Sequence, residues 1–363
     1  MHNFDDEWGP ERVLEVYDPK TKVHGVVVID NTAIGVGKGG MRMVPDLTVK
    51  EVAGLARAMT WKNSLADIPF GGAKSGIRAD PKKINKEEAI RAFARLLAPV
   101  IPKYYVSGPD MNITEKEMAW FSDELKDKKA CTGKPSEMGG LPHELGSTGF
   151  GVVQAAKVAM EFMKKPISGA TVAIEGYGNV GTFTHKFLEE LGAKVVAISD
   201  SKGTAYLPAG FKHNEALATK QEKGTITAYA GAERKDAKDL FALDVDILIP
   251  GARPDVITAK NANDVKAKLV VEAGNLPMTH EVELMLAAKG IMVIPDFVAN
   301  AGGVISSYVE FIGGSEKEMF SMVGEKITKN TAKVLEGTKN LDVRTSALSL
   351  AQARVKDAMQ KRG

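Results

Sequence analysis

One run, TVAIEGYGNVGTFTHKFLEELGAKVVAISD at 171–200, constrains the fold more than anything else in these 363 residues. An apolar strand, Val172 to Ile174, leads into Gly176-Tyr177-Gly178-Asn179-Val180-Gly181. An amphipathic helix follows, and a second strand ends at Asp200, 24 residues past Gly176. A dinucleotide-binding βαβ unit needs a glycine for the turn, a second where a pyrophosphate meets bare backbone at a helix N-terminus, and a third where helix and strand pack closely. The glycines alone are a weak signal; flanked by strand, helix and terminal acid they are specific. Asp200 is placed to bond ribose hydroxyls, which favours NAD. Ser201 and Lys202 follow at once and could bind a 2′-phosphate, so NAD and NADP both stay open.

Further short strands, VDILIP (245–250), LVVEA (269–273) and IMVIP (291–295), extend this into a parallel sheet whose strand ends face a ligand. Asn275 lies past one such end, and Asn300 with Ser307 past another, in NAGGVISS. Each asparagine taken alone reads equally well as a turn residue. Helical segments at roughly 315–336 and 345–361 finish the chain.

The first half alternates strands and helices without a glycine fingerprint, which suits a substrate domain. Val23 to Ile29 reads as a strand, and NTAIGVGKGGMRM (31–43) as a loop with four glycines around Lys38. Thr48 with Glu51, Asn85 with Glu88 and Thr114 with Glu117 have the spacing of capped helix starts. In KNSLADIPFGGAK the expectation is that Pro69 stops the helix carrying Lys62, and that Gly71 and Gly72 turn the chain so that Lys74 points back toward Lys62. Two ammonium groups sharing a cleft call for an anion and lower the proton affinity of the less exposed one. That describes a carboxylate-binding, acid/base site, against the ordinary alternative of two solvated lysines. Asp110, at the end of the strand YYVSG and just ahead of a helix, is either a reactive group or a local cap.

The expected organisation is α/β: an N-terminal α/β substrate domain over 1–145 and a doubly wound Rossmann-type domain over 146–339, with the active-site cleft between them. The last helix, about 340–363, packs back on the first domain. Charged residues make up 26% and the net charge is +2, interleaved along the chain, so neither nucleic acid nor a membrane surface is implied as partner. The single cysteine, Cys131, has no disulfide partner and no metal-ligand companion of its own type, so no metal site is expected. With an acidic N-terminus and no apolar run of membrane length, the reading is cytoplasmic.

GVGKGGMRM, MTWKNSLADIPFGGAKSGI, GPDMN, TGKPSEMGG, GSTGFGV, EGYGNVG and IPDFVANAGGV occur in this order. Together they resemble the Glu/Leu/Phe/Val amino-acid dehydrogenases over about residues 20–312. The resemblance implies that Lys62 binds the substrate α-carboxylate, that Lys74 polarises the carbonyl or activates the attacking water, and that Asp110 shuttles protons to the amino group. It puts Thr148 near the nicotinamide amide. Lys38 and Ser307 match the positions that meet a distal carboxylate, with Gly39 and Val304 beside them in the substrate pocket. A lysine facing an aliphatic side chain would be a buried unpaired charge, so the glutamate type is expected over the leucine or valine type. The implied reaction is oxidative deamination of L-glutamate to 2-oxoglutarate and ammonia, and its reverse, in a homo-oligomer, with a hexamer favoured. PGARPDVI (250–257) and VEAGN (271–275) depart from the family pattern. A branched-chain enzyme of the same fold would turn Lys38 out of the pocket, and a non-catalytic dinucleotide sensor would have no need of Lys62, Lys74 and Asp110 together.

Overall fold

Two antiparallel strands, β1 (Arg12–Asp18) and β2 (Val23–Asn31), start the first sheet. The computed structural model describes residues 5–142 and 145–362. The chain continues through β3 (Gly37–Lys38), β4 (Met41–Val44), α1 (Val49–Leu65), β5 (Gly71–Arg78), α2 (Lys86–Leu97), β6 (Tyr105–Val106) and α3 (Glu115–Leu125). The strand order is β1-β2-β5-β3-β6, with β4 also paired to β5. β2 is buried at every position but His24, because both its faces are covered. Val23, Val27 and Ile29 pack with Phe93 and Phe121 of α2 and α3, while Val26 and Val28 pack with Val52, Ala53 and Ala56 of α1.

The region between β2 and α2 departs from the sequence reading in three ways. The 31–43 stretch is not simply a loop, since it contains β3 and most of β4, and Lys38 lies on β3. Lys74 lies on β5, not in a turn. The glycines before it are required by close approach: a Cβ on Gly72 would sit 2.0 Å from Thr60 Oγ1 and 2.4 Å from Thr60 N, and one on Gly71 2.1 Å from Asn31 O. Finally, α1 ends at Leu65, ahead of Pro69, where Asp67 takes φ 57°. Arg354 caps that end, donating to Ser64 O and Leu65 O at 2.9 Å each. Thr48 accepts from Glu51 N at the start of α1, but the Glu51 carboxylate goes to Arg42 instead of completing the capping box.

The second sheet is built from β7 (Thr171–Glu175), β8 (Lys194–Asp200), β9 (Gly203–Tyr206), β10 (Glu233–Lys235), β11 (Ile247–Pro250), β12 (Leu269–Val271) and β13 (Met292–Ile294). Its order is β10-β9-β8-β7-β11-β12-β13. β8 through β13 on the path by way of β7 are parallel, as expected, and β9 and β10 add an antiparallel edge that was too short and polar to read in the sequence. The helices of this part are α4 (Ser147–Phe162), α5 (Asn179–Glu190), α6 (His213–Lys223), α7 (His280–Ala288) and α8 (Asp296–Ala299). Then follow α9 (Gly302–Phe311), α10 (Glu316–Glu336) and α11 (Val343–Arg362).

The chain divides into two compact units. One holds Met1–Leu145, Val304–Met319 and Ala351–Gly363; the other holds Gly146–Gly303 and Phe320–Leu350. Most of α9, with Val304 and Ser307, therefore groups with the first sheet, as does the end of α11.

Gly72→Ala is expected to destabilise the protein by about 1–3 kcal/mol, because the added methyl meets backbone that cannot yield. Gly54→Ala, on the exposed side of α1 with nothing within 4 Å of its Cβ, is the control and is expected to hold or raise the melting midpoint. Thermal unfolding of the two variants checks both.

Candidate active site

Close backbone approach makes the first half of the site. A Cβ on Gly39 would lie 1.7 Å from Ala73 O, and one on Gly40 2.8 Å from Asp110 Cβ and 2.6 Å from Pro109 O. With both side chains absent, β3 and β4 lie close enough to bring Lys74 and Asp110 into contact. Lys74 Nζ stands 2.9 Å from Asp110 Oδ2, and Arg42 Nε donates to the same oxygen at 2.8 Å. The side chains of Lys74 and Asp110 are 9% and 24% exposed, so the pair is largely withdrawn from water yet still reachable.

Burial pulls the Lys74 ammonium below its ordinary proton affinity, and Asp110 only partly offsets this. The sequence reading traced such a shift to Lys62; here burial is the main cause, and the neighbouring cation that adds to it is Arg42. Burial acts on Asp110 in the opposite sense, but Lys74 and Arg42 outweigh it and hold the carboxyl below the usual range. Asp110 is thus ionised at neutral pH, beside a lysine that gives up its proton more easily than usual.

Lys38 is 3% exposed, and its Nζ donates to Ser107 O at 2.7 Å. Burial brings its pKa down to about 7. Asn63 of α1 donates to Lys38 O and Gly71 O, tying β3 and β5 to the helix that carries Lys62. Lys62 itself stands half-buried in the last turn of α1. Val304 and Ser307 are half-buried on α9. That helix is fixed by Tyr308 and Phe311, edge-on to Phe70 at 5.6 and 5.2 Å, and by Glu310. Glu310 pairs with Lys134 Nζ at 2.5 Å and accepts from Gly133 N and Leu141 N. Arg42, Ser107, Lys134 and Glu310 were not singled out from sequence. Arg42 and Lys134 lie inside GGMRM and TGKP, but their partners are 68 and 176 residues away.

The second unit carries the glycine turn. Gly176 has φ 92°, and a Cβ on Gly181 would lie 1.9 Å from Gly176 O, so both are fixed by the fold itself. Gly178 differs: a Cβ there would meet nothing within 4 Å. It is exposed, as is Asn179; Val180 is half-buried; and no side chain caps the start of α5. Bare N–H groups at a helix start, beside a glycine that the protein's own packing does not require, fit a pyrophosphate. Bound there, NAD(P) would supply hydride acceptance and donation.

Asp200 is more heavily engaged than its sequence position suggests. Oδ1 accepts from Lys202 N at 2.8 Å and Thr225 Oγ1 at 3.2 Å, and Oδ2 from Lys220 Nζ at 2.6 Å and Ile226 N at 2.8 Å. Ribose hydroxyls would have to compete with these donors. Ser201 and Lys202 are exposed at the same turn, and Arg234 Nη2 donates to Lys202 O at 3.2 Å. At the far strand ends, Asn300 donates to Asn275 Oδ1 at 3.1 Å and to Ala273 O and Gly274 O, holding the exposed Asn275 in place. Arg344 gathers Glu272, Glu283 and Asp296 behind that loop, which gives VEAGN a structural anchor. The PGA turn is anchored by Glu175, which accepts from Gly251 N and Ala252 N. Thr148 is half-buried in the first turn of α4. Lys38, Gly39, Lys62, Lys74, Asp110, Val304 and Ser307 all fall in the first unit, and every residue expected to hold the dinucleotide falls in the second.

Comparison with known proteins identifies the family. Residues 139–363 match the Glutamate/Leucine/Phenylalanine/Valine dehydrogenase family, and residues 10–127 match the Glu/Leu/Phe/Val dehydrogenase dimerisation domain. The chain is 39% identical to a glutamate dehydrogenase of Aeropyrum pernix, over 98% of this chain and 92% of that one. It is 40% identical to an NADP-specific glutamate dehydrogenase of Saccharolobus shibatae, over 98% and 90%. The solved hetero-hexameric glutamate dehydrogenase from Thermus thermophilus superposes with a TM-score of 0.84 at 29% identity, covering 98% of this chain and 90% of that one. With both of its parts matched and the glycine turn and lysine-rich sheet in place, the chain belongs to the Glu/Leu/Phe/Val dehydrogenase family.

Proposed function

We propose that the protein is an NAD(P)-dependent glutamate dehydrogenase, converting L-glutamate to 2-oxoglutarate and ammonia and running the reverse amination. The observation that carries this is the Lys74–Asp110 pair at 2.9 Å, with Lys74 in the same sheet as the buried Lys38. Lys62 takes the α-carboxylate. Lys38 and Ser307 take the distal one, with Gly39 and Val304 lining the pocket. An arriving carboxylate raises the proton affinity of Lys38 and turns a lysine with a pKa of about 7 into a full counter-charge. Lys74, neutral when the amino acid is oxidised, removes a proton from the water that attacks the iminium carbon. Asp110 passes protons to and from the departing nitrogen.

The residues that would hold the dinucleotide are Gly176, Gly178, Asn179, Val180 and Gly181 for its pyrophosphate, and Thr148, Asn275 and Asn300 for its nicotinamide end. The engaged Asp200 and the exposed Ser201, Lys202 and Arg234 support acceptance of a 2′-phosphate, and the relative from Saccharolobus shibatae is named NADP-specific. The match to a dimerisation domain and the hetero-hexameric relative support a homo-oligomer, with a hexamer the favoured state. No helix among the described residues is long and apolar enough to cross a membrane, and the working compartment proposed is the cytoplasm.

A second reading, a branched-chain amino-acid dehydrogenase, is favoured by one observation: Ser107 O already satisfies Lys38 Nζ, so a neutral lysine could sit beside an aliphatic side chain. Initial rates with ammonium, NADH or NADPH, and either 2-oxoglutarate or 4-methyl-2-oxopentanoate separate the two. Preference for 2-oxoglutarate is expected, and Lys38→Leu should cut its kcat/KM by roughly 10- to 100-fold, the range of a lost charged hydrogen bond. Retained activity with 2-oxoglutarate in that variant refutes the pocket assignment.

Gly178→Ala probes the other half. Its Cβ has open space, so the melting midpoint should not fall, while the KM for the dinucleotide should rise about tenfold or more because the methyl occupies the phosphate approach. An unchanged KM removes the cradle from this turn.

A further inference from the structure

Asp110 carries two cations on one oxygen, and only one of them belongs to the chemistry described above. Arg42 comes from β4, two residues beyond Gly40, and its guanidinium is held at both ends. Nε donates to Asp110 Oδ2 at 2.8 Å and Nη1 to Glu51 Oε1 at 2.6 Å, with the side chain 14% exposed. Glu51 sits in the first turn of α1, itself capped by Thr48. We propose that Arg42 is a positioning residue of the reaction: clamped by Glu51, it keeps the Asp110 carboxylate in place and charged while Lys74 is neutral. This rests on the roles given to Lys74 and Asp110 under the proposed function.

The physical need is direct. A neutral amine is a weaker donor than an ammonium, and a largely buried carboxylate left with that amine alone would be an uncompensated charge. It would then hold the lysine's proton in place. A guanidinium stays charged throughout and removes the conflict.

Several groups from the packed elements set the local field. They are Glu51 on α1, Lys38 on β3, Arg42 on β4, Tyr105 on β6 and Asp110 beyond it. Arg42 repels the Lys74 ammonium and attracts the Asp110 carboxylate, so its loss raises the proton affinity of both.

Deamination needs neutral Lys74, so kcat/KM for glutamate rises with pH through the Lys74 titration. In Arg42→Gln that acid limb is expected to move to higher pH by about half a unit or more. Arg42→Lys, which restores a cation, is expected to bring most of it back. Glu51→Gln keeps the guanidinium and removes a carboxylate that itself raises the Lys74 proton affinity, so a small shift to lower pH, opposite to that of Arg42→Gln, is expected; it also serves if Arg42→Gln fails to fold. The Lys74 titration is read independently by 13C NMR of lysine-labelled protein, assigned with Lys74→Arg. This tests the inference even if the wild type turns over no amino acid, which would instead refute the proposed function. A uniform drop in kcat, with both the acid limb and the Lys74 signal unshifted, overturns the inference and leaves Arg42 a packing residue.

Discussion

Close approach of bare backbone is the constraint on which the first half of this protein depends. Gly39, Gly40 and Gly72 stand where a Cβ would collide with Ala73 O, Asp110 and Thr60. Their absence of side chains lets β3, β4 and β5 close around a small polar centre. Into that centre the fold puts Lys74, Asp110 and Arg42, and beside it Lys38. Burying charges is unfavourable unless each has a partner, so the cluster is bound by mutual pairing, and its proton affinities follow from burial and pairing together. Lys74 is pushed toward neutrality by burial, and Asp110 toward charge by two cations. These are the states that water activation and proton transfer require.

The second half uses the same device for a different end. Gly176 and Gly181 are fixed by φ and by packing, whereas Gly178 leaves space that the protein itself does not fill. A site is distinguished from a mere turn by that surplus. The loops at the strand ends are stiffened from behind, by Glu175 under Gly251 and Ala252, by Arg344 among three carboxylates, and by Asn300 against Asn275. At PGARPDVI a buried carboxylate, Glu175, holds the backbone, and just past VEAGN the buried Asp296 accepts from Leu276 N at 3.0 Å.

The Rossmann half was legible because its signals are local: a strand, a glycine turn, a helix and an acid lie within thirty residues. β9 and β10 were not, since a short polar edge has no apolar pattern to read. In the first half, Lys38 and Lys74 stand out by their glycine-rich surroundings and Asp110 by its place between a strand and a helix, but the setting of the two lysines differs from the expectation. GGAK was taken for a turn because paired glycines usually mark one, whereas here they serve helix-to-strand contact and Lys74 lies on β5. Arg42 was passed over because its meaning depends on Asp110, 68 residues away, and on Glu51, which looked like a cap. Asp200 shows the converse, a residue whose position suggested a ligand contact while four hydrogen bonds from its own chain already hold it.

The central claim is that the Lys74–Asp110 pair performs the chemistry while the dinucleotide is bound elsewhere, by residues of the other unit. Its most direct test is Asp110→Asn, measured for reductive amination of 2-oxoglutarate and, separately, for NAD(P)H binding by cofactor fluorescence. A rate lower by about a hundredfold or more, the usual contribution of a positioned acid/base group, with unchanged cofactor affinity is the expected result. A variant that keeps its rate within a few-fold, or loses rate only as cofactor affinity falls, contradicts the account.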